Sequence, residues 1–215
     1  GDAANQEAYW RLAPLAERVP FLCVRPNGTV DASGSRFWNA TDACCNVNQS
    51  AVDDSQYLRG LIQEIAGLFN LDRDRICVAG LSNGGFMSYR MACDHADLVT
   101  AIGSQAGAAF LDPSGCAPAF PVNVLQVHGT ADTVVAYTGG TLFTGRVYPG
   151  AAASVAQWAV HNGCLPVRTD TGERHELISG APQPETVVSR FAAGCPARGA
   201  VELWTMQSAD HVPAL

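Results

Sequence analysis

Apolar and polar positions alternate in blocks along this chain, and the blocks predict strands that alternate with helices. Short apolar runs typical of buried strands lie at residues 21–24, 76–79, 99–103, 122–128 and 201–206. Apolar residues recur at helical spacing in the intervening segments 7–17, 53–68 and 151–161. This order predicts a single α/β domain over residues 1–215, with a mostly parallel sheet and helices on both faces.

Three segments rich in polar residues and glycine interrupt this pattern. Residues 29–50 and 138–150 are predicted to be loops, and residues 163–198 an irregular or hairpin-like segment. A loop as long as 29–50 inside a compact domain is usually functional or fixed by cross-links.

The pentapeptide Gly-Leu-Ser-Asn-Gly at residues 80–84 lies between a predicted strand and a predicted helix. A strand, Gly-x-Ser-x-Gly and a helix in this order form the nucleophile elbow of serine hydrolases. Ser82 is therefore the candidate nucleophile, and the backbone N–H of Asn83 is a candidate oxyanion donor. Both flanking glycines are expected to be required by crowding at the sharp turn. The alternative is a Gly-rich βα turn with an incidental serine.

A serine nucleophile needs a histidine base, and five histidines compete for that role. His211 follows the last predicted strand in a polar loop, which is where this chain order places the base. The other four have structural interpretations. We expect His95 on the surface, His128 packed beside the site, His161 at a helix end and His175 in a solvated, charged run.

The acid that orients the base is predicted to be Asp132, which follows the strand at 122–128. The order Ser82, Asp132, His211 matches serine, acid, histidine in hydrolases of this kind. The alternative for Asp132 is a turn-forming aspartate. Asp210 adjoins the histidine in sequence but is poorly placed to orient it, and Asp53 and Asp54 are interpreted as helix N-caps.

Composition narrows the classes of partner. The chain has 215 residues, of which 47% are apolar and 15% charged, with a net charge of −7 and no basic cluster. Nucleic acid and anionic membrane are therefore not expected as partners, and no apolar run approaches the length of a membrane span. The triad chemistry needs no cofactor, and no cysteine–histidine spacing suggests a metal.

Eight cysteines without a Cys-x-x-Cys motif favour disulfides, and hence a secreted or periplasmic protein. Cys164 and Cys195 flank one polar segment and are the clearest predicted pair. Three connectivities remain open among the next four, which are Cys44, Cys45, Cys93 and Cys116. Cys23 and Cys77 lie in apolar runs and are interpreted as buried thiols. Glycosylation sequons begin at Asn27, Asn39 and Asn48.

These motifs resemble secreted α/β-hydrolase esterases of the polyhydroxyalkanoate (PHB) depolymerase, feruloyl esterase and acetylxylan esterase group. The resemblance covers nearly the whole chain, and the stretches that carry it lie at residues 6–10, 37–45, 52–54, 80–87 and 128–132. The resemblance implies the same triad on Ser82, Asp132 and His211, and a place for Trp38 near the substrate. An exposed Trp38 could stack on a feruloyl ring or a sugar; alternatively it pins the long loop.

The resemblance also has two departures. Esterases of this group begin with an apolar strand and a Gly-rich loop that supplies a second oxyanion donor, and they continue past the histidine into a closing helix. We expect a chain without these parts to be incomplete at both ends, to leave a gap in the sheet between residues 21–24 and 76–79, and to fold and catalyse weakly.

The sequence thus predicts a serine carboxylic-ester hydrolase acting on polymer-linked or cell-wall esters. A non-catalytic binding protein on a decayed hydrolase scaffold is the main alternative. Its support is that these residues do not supply a second oxyanion donor. A serine peptidase would use the same triad, but nothing in the sequence specifies an amide substrate. The choice among feruloyl, acetyl and hydroxyalkanoate esters and the oligomeric state stay open.

Overall fold

A computed structural model describes residues 2–46 and 49–215, and its central feature is a six-stranded sheet. The sequon asparagine at position 48 lies outside the described residues. In chain order the strands are β1 (Thr29–Val30), β2 (Arg36–Phe37), β3 (Cys77–Leu81), β4 (Ala101–Gln105), β5 (Asn123–Gly129), β6 (Gly139–Thr141), β7 (Val147–Pro149), β8 (Arg168–His175), β9 (Thr186–Phe191) and β10 (Val201–Met206). The α-helices are α1 (Ala3–Trp10), α2 (Leu12–Ala16), α3 (Asp54–Leu68), α4 (Asn83–Asp94) and α5 (Ala151–His161). Short 3₁₀ turns lie at Arg73–Arg75 and Pro113–Gly115.

The strand order in the large sheet is β3-β4-β5-β10-β9-β8. The first four strands are parallel to one another, and β9 pairs antiparallel with both of its neighbours. The prediction of a mostly parallel sheet is confirmed. Strand β10 has the predicted bounds, whereas β3, β4 and β5 each lie one or two residues later than the apolar runs that predicted them.

The main core lies between the sheet and the helices α4 and α5. The two helices share one face, because the rings of Tyr89 on α4 and Trp158 on α5 are 6.0 Å apart. Both rings are fully buried, and Phe86 packs edge-on against Tyr148 at 6.2 Å. This packing fixes α4, and with it the turn that precedes α4, against the sheet.

The predicted strand at residues 21–24 is wrong. Phe21, Leu22 and Val24 are each 40–47% exposed and belong to no strand. An isolated apolar run becomes a strand only by pairing with a neighbour. Strand β3 forms one edge of the large sheet and pairs only with β4, so residues 21–24 lie outside the ladder.

Other local predictions also need correction. The helix predicted at residues 7–17 is two helices, because Arg11 between them has a left-handed backbone with φ 52°. The loop predicted at residues 138–150 contains the hairpin β6–β7. The segment 163–198, predicted to be irregular or hairpin-like, forms the hairpin β8–β9 and extends the main sheet.

Asp53 caps α3 as predicted, but Asp54 is buried and accepts hydrogen bonds from Thr29 Oγ1 and the Asn39 N–H.

The disulfides follow the predicted pattern in part. The Cys164–Cys195 pair is confirmed, and the open connectivity resolves to Cys44–Cys45 and Cys93–Cys116. Cys77 lies in β3 but is exposed, and Cys23 is half-buried outside any strand, so the prediction of two buried strand thiols is wrong. Within the described residues, no helix has the length and apolar character needed to cross a membrane.

The Cys164–Cys195 bond should stabilise the fold, because it closes a segment with a sequence separation of 31. Closing a loop of this length restricts the unfolded chain and is worth about 3–4 kcal/mol. We expect the double variant Cys164→Ser/Cys195→Ser to lose about that free energy of unfolding in urea titrations. Cys77→Ser is the control and should change stability by less than about 0.5 kcal/mol, since its thiol is exposed and unpaired. A double variant as stable as the control would contradict this expectation.

Candidate active site

Ser82 occupies a strained turn between β3 and α4. Its backbone has φ 56° and ψ −122°, a conformation that costs a non-glycine residue on the order of 1–3 kcal/mol. Two hydrogen bonds hold it there. The Ser82 N–H donates to the Gln105 carbonyl at 2.8 Å, and the Ser82 carbonyl accepts from the Phe86 N–H at 3.0 Å. The turn presents the half-buried Ser82 at the carboxyl end of β3, as the motif predicts.

Only one of the two glycines flanking Ser82 is required by crowding. A Cβ atom on Gly80 would lie 2.2 Å from the carbonyl carbon of Gly84, so only glycine fits there. A Cβ atom on Gly84 would meet nothing within 4 Å. The expectation that both glycines are sterically necessary is therefore wrong for Gly84, whose backbone is instead the obstacle that Gly80 must avoid.

Asp132 and His211 form a hydrogen-bonded pair across 79 residues of sequence. The His211 Nδ1 lies 2.8 Å from Asp132 Oδ2, and the Asp132 side chain is fully buried whereas that of His211 is 15% exposed. They meet because Asp132 follows β5 and His211 follows β10, which pair in parallel. Because a carboxylate only accepts, Nδ1 carries a proton, and in the neutral ring the lone pair is on Nε2.

The Asp132 carboxylate is also bound by the turn that it begins. Its Oδ1 accepts from the N–H groups of Val134 and Val135 at 2.9 and 2.8 Å. Burial alone raises the pKa of Asp132, but hydrogen bonds from His128, from His211 and from these two N–H groups outweigh it and hold the pKa well below its usual range. Asp132 is thus both the predicted orienting partner of a histidine and the turn-forming residue of the alternative interpretation.

The predicted positions of the remaining four histidines agree with the structure in some cases and not in others. His128 is buried beside Asp132, with Nε2 3.3 Å from Oδ2, as expected for a packed residue near the site. His95 is 8% exposed and contacts Ser55 Oγ at 2.8 Å, so its predicted surface position is wrong. His161 ends α5 as expected, and His175 stacks on the Trp204 ring at 4.6 Å.

Asn83 joins the turn to the long loop that precedes α3. Its side-chain Oδ1 accepts from the Trp38 N–H at 2.7 Å, and its Nδ2 donates to the Trp38 carbonyl at 2.9 Å. The Asn83 backbone N–H begins α4, where no intrahelical acceptor exists. The Trp38 ring stacks on Tyr57 of α3, with centroids 6.4 Å apart. This contact pins the loop and places the Trp38 backbone against the residue that follows Ser82.

Sequence reasoning missed a second polar connection, which ties α1 to the site. Gln105, whose carbonyl holds Ser82, accepts at Oε1 from the Trp10 indole N–H at 2.8 Å. Its Nε2 donates to the Tyr9 hydroxyl at 2.8 Å, and that hydroxyl donates to the Pro213 carbonyl at 3.0 Å, two residues past His211. Nothing in the periodicity of residues 3–10 signals these contacts.

The structure therefore brings Asp132 and His211 into contact and places Ser82 at the same edge of the sheet. Ser82 Oγ makes no hydrogen bond to His211 in the described part of the chain. Catalytic hydrogen bonds are often loose before substrate binds, so this geometry is compatible with a triad. Across residues 2–46 and 49–215, no group of three or more His, Cys, Asp or Glu side chains is arranged to hold a metal ion.

Comparison with known proteins identifies relatives of this fold. The chain is 35% identical over 187 residues to feruloyl esterase B of Piromyces equi, a match that covers 84% of this chain and 33% of that protein. It is 27% identical over 207 residues to feruloyl esterase D of Neurospora crassa, covering 96% of this chain and 59% of that protein. The chain thus spans between a third and three-fifths of the length of these two relatives. No family model matches it.

The structural comparison agrees with the topology. An acetyl xylan esterase from Aspergillus awamori superposes with a TM-score of 0.60 at 14% identity, covering 100% of this chain and 81% of that chain. The chain has the α/β-hydrolase fold and is similar in sequence to these esterases. The predicted fold class and the predicted resemblance to the feruloyl and acetylxylan esterase group are both confirmed.

The buried carboxylate of this α/β-hydrolase gives a stability prediction that does not depend on activity. Ionised Asp132 stabilises the folded state above its ordinary pKa of about 4, and this contribution is lost as pH falls towards the depressed folded pKa. We expect Asp132→Asn to lower the free energy of unfolding by about 1–3 kcal/mol between pH 5 and 8. The deficit should shrink below about pH 4, where the unfolded carboxyl group binds a proton.

Urea unfolding of both proteins across pH 3–8 measures this difference. Asp210→Asn is the matched control, because Asp210 adjoins His211 but is exposed, and it should change stability by less than about 0.5 kcal/mol at every pH. A constant difference between Asp132→Asn and the unsubstituted protein down to pH 3 would contradict the expectation.

Proposed function

We propose that this chain hydrolyses carboxylic esters through an acyl-enzyme on Ser82. The observation that carries the proposal is the 2.8 Å hydrogen bond between His211 and a buried, ionised Asp132 at the sheet edge where Ser82 occupies its strained turn. A turn-forming aspartate alone would not need a histidine on its second oxygen. The names of the relatives, which are esterases, agree with this chemistry.

The proposed reaction uses each residue in one role. Ser82 Oγ attacks the ester carbonyl as His211 Nε2 takes its proton, and the proton then passes to the departing alkoxide. Asp132 stabilises the imidazolium formed in between. Water then attacks the acyl-enzyme, again giving its proton to His211, and the acid leaves as Ser82 recovers its proton.

The Asn83 backbone N–H is the proposed oxyanion donor. It lies at the start of α4, where the helix dipole favours negative charge. The Asn83 side chain is not free for this role, because both of its polar atoms bind the Trp38 backbone. The second donor that such sites normally contain has no assigned residue here.

The proposed substrates are esters of aromatic or acetyl groups on plant cell-wall polymers, with feruloyl esters favoured by the names of the two relatives described above. Trp38 is the proposed contact for the aromatic ring or a sugar, since its backbone lies against Asn83 and its half-buried ring already stacks on Tyr57. The three disulfides support an extracellular or periplasmic location.

A fluorophosphonate probe tests the nucleophile directly, because it reacts only with an activated serine. We expect the unsubstituted protein to be labelled on Ser82, and Ser82→Ala to lose the label and about 10⁶-fold in kcat. Ser208→Ala is the matched control. Ser208 also has a left-handed backbone, with φ 60°, and follows β10 in the same loop as His211, but it has no proposed role and should keep both readouts.

Two outcomes would overturn the proposal. If Ser82→Ala kept its esterase rate, the nucleophile would be another residue. If the unsubstituted protein were neither labelled nor active, the non-catalytic binding protein would be the better account of this scaffold.

A separate measurement ranks the substrates. Initial rates on methyl ferulate, acetylated xylan and hydroxybutyrate oligomers should differ, and we expect methyl ferulate to give the highest kcat/KM. Replacing Trp38 by Leu should raise KM for methyl ferulate about tenfold and leave an acetyl ester nearly unchanged, because only the aromatic acyl group can stack. An equal effect on both esters would assign Trp38 to the loop alone.

A further inference from the structure

A chain of buried polar side chains leads to Asp132 from the interior of the sheet. It begins at Tyr89 on α4 and continues through Gln126 and His128, which are two residues apart on β5 and therefore share a face of the sheet. All three side chains are 0–1% exposed. Polar groups buried this deeply destabilise a fold unless every donor and acceptor is matched, so their hydrogen bonds define their protonation.

The orientation of the Gln126 amide is fixed by its neighbours. Its Nε2 lies 2.9 Å from the Gly107 carbonyl, which can only accept a hydrogen bond, so this atom is the donor end of the amide. Its Oε1 accepts from the Tyr89 hydroxyl at 2.9 Å, which agrees. The same Nε2 lies 3.1 Å from His128 Nδ1.

These contacts select one form of His128. Since Gln126 donates to Nδ1, that nitrogen carries a lone pair and the ring proton is on Nε2. His128 Nε2 donates to the Val135 carbonyl at 2.7 Å, and the same nitrogen lies 3.3 Å from Asp132 Oδ2. His128 is therefore a neutral imidazole whose single N–H is directed at the turn that holds Asp132.

We propose that neutral His128, fixed as its Nε2–H tautomer by Gln126, is a positioning residue that orients the Asp132 carboxylate towards His211. The inference rests on the proposed function, in which His211 is the base. Oδ1 of Asp132 is anchored by two backbone N–H groups, whereas the polar partners of Oδ2 among the described residues are the His128 and His211 side chains. Without His128, the Asp132 oxygen that accepts the hydrogen bond from His211 Nδ1–H would have no partner among the described residues except the group that it must orient.

The neutrality of His128 matters as much as its position. A charged imidazolium at this place would pair with Asp132 and compete with the imidazolium that forms on His211 during the reaction. The groups that face His128 are Asp132, the Val135 carbonyl, the Gln126 amide and the Tyr137 ring, which packs edge-on at 5.7 Å. Asp132 is the only charged side chain among them, and its Oδ2 lies 3.3 Å from Nε2 of the neutral ring, whose N–H donates to the Val135 carbonyl.

The tautomer can be measured in the unsubstituted protein without any activity. In a two-bond ¹⁵N–¹H correlation spectrum, we expect His128 to show a protonated Nε2 and an unprotonated Nδ1 at neutral pH. An Nδ1–H tautomer or a doubly protonated ring would overturn the proposal, whether or not the chain is an esterase.

Two substitutions with side chains of similar length then distinguish the hydrogen-bond donor of His128 from the packing of its ring. His128→Gln keeps an N–H near the place of Nε2, and His128→Met has a side chain of similar length without a donor. We expect His128→Met to lower kcat about 10–100-fold with KM within about twofold, and His128→Gln to recover most of that loss. The downfield proton resonance of His211 Nδ1–H should be retained in His128→Gln and broadened or lost in His128→Met.

His161→Met is the matched control, because His161 is also partly buried against an aromatic ring but its Nε2 has no hydrogen-bond partner. It should leave kcat, KM and the His211 resonance unchanged. Equal losses in His128→Gln and His128→Met would overturn the proposal in favour of ring packing, as would a His128→Met protein that keeps both kcat and the resonance.

The proposed function and this inference fail separately. Failure of fluorophosphonate labelling in the unsubstituted protein contradicts the esterase proposal. The tautomer of His128, and the effect of its substitution on the His211 resonance, test the role of His128 without any need for activity. If His128→Met does not fold, the tautomer spectrum and the comparison of His128→Gln with the unsubstituted protein still decide the inference, since loss of the His211 resonance in a folded His128→Gln would contradict it.

Discussion

The parallel pairing of β5 with β10 is the contact on which the candidate site depends. Its register sets Gly129 opposite Met206, so the segments that leave both strands emerge at the same edge of the sheet. Asp132 and His211 are 79 residues apart in sequence, and this pairing, continued by the hydrogen bond from the Ala131 N–H to the Ala209 carbonyl, brings them within hydrogen-bond distance. A shift of one residue would turn the side chains of one strand to the opposite face and remove the buried partners of Asp132.

The same edge concentrates several features that are unfavourable for stability by themselves. Ser82 has a strained backbone with a positive φ, Asp132 is a fully buried carboxylate, and Gln126 and His128 are buried polar groups on a strand. Each is held by neighbours that satisfy it: Gln105 and Phe86 hold the Ser82 backbone, and the turn at Val134 and Val135 binds the carboxylate. Backbone strain and buried charge at one place are typical of functional sites, because neither a strained backbone nor a buried charge is favoured by packing alone.

Much of this was predictable from the sequence, and the reason is physical. The strand–turn–helix around Ser82 is a local structure, and the order of Ser82, Asp132 and His211 follows from where strands end in a parallel sheet. The prediction was wrong at residues 21–24, because strand formation depends on a partner that periodicity does not reveal. It was also wrong at His95, whose burial against Ser55 and Arg59 depends on how α3 packs on α4.

The role of His128 illustrates what periodicity cannot supply. The sequence shows a histidine four residues before an aspartate, and this spacing is the only signal of their contact. Deciding which nitrogen carries the proton requires the Gly107 carbonyl and the Tyr89 hydroxyl, which come from a different loop and a helix. These distant groups fix the orientation of the Gln126 amide, and the amide in turn fixes the tautomer of His128. The Nε2–H of that tautomer is directed at the turn that holds Asp132. The tautomer of His128 therefore depends on the tertiary hydrogen bond between Tyr89 of α4 and Gln126 of β5, so a substitution at Tyr89 or Gln126 can alter the geometry at His211 without touching it.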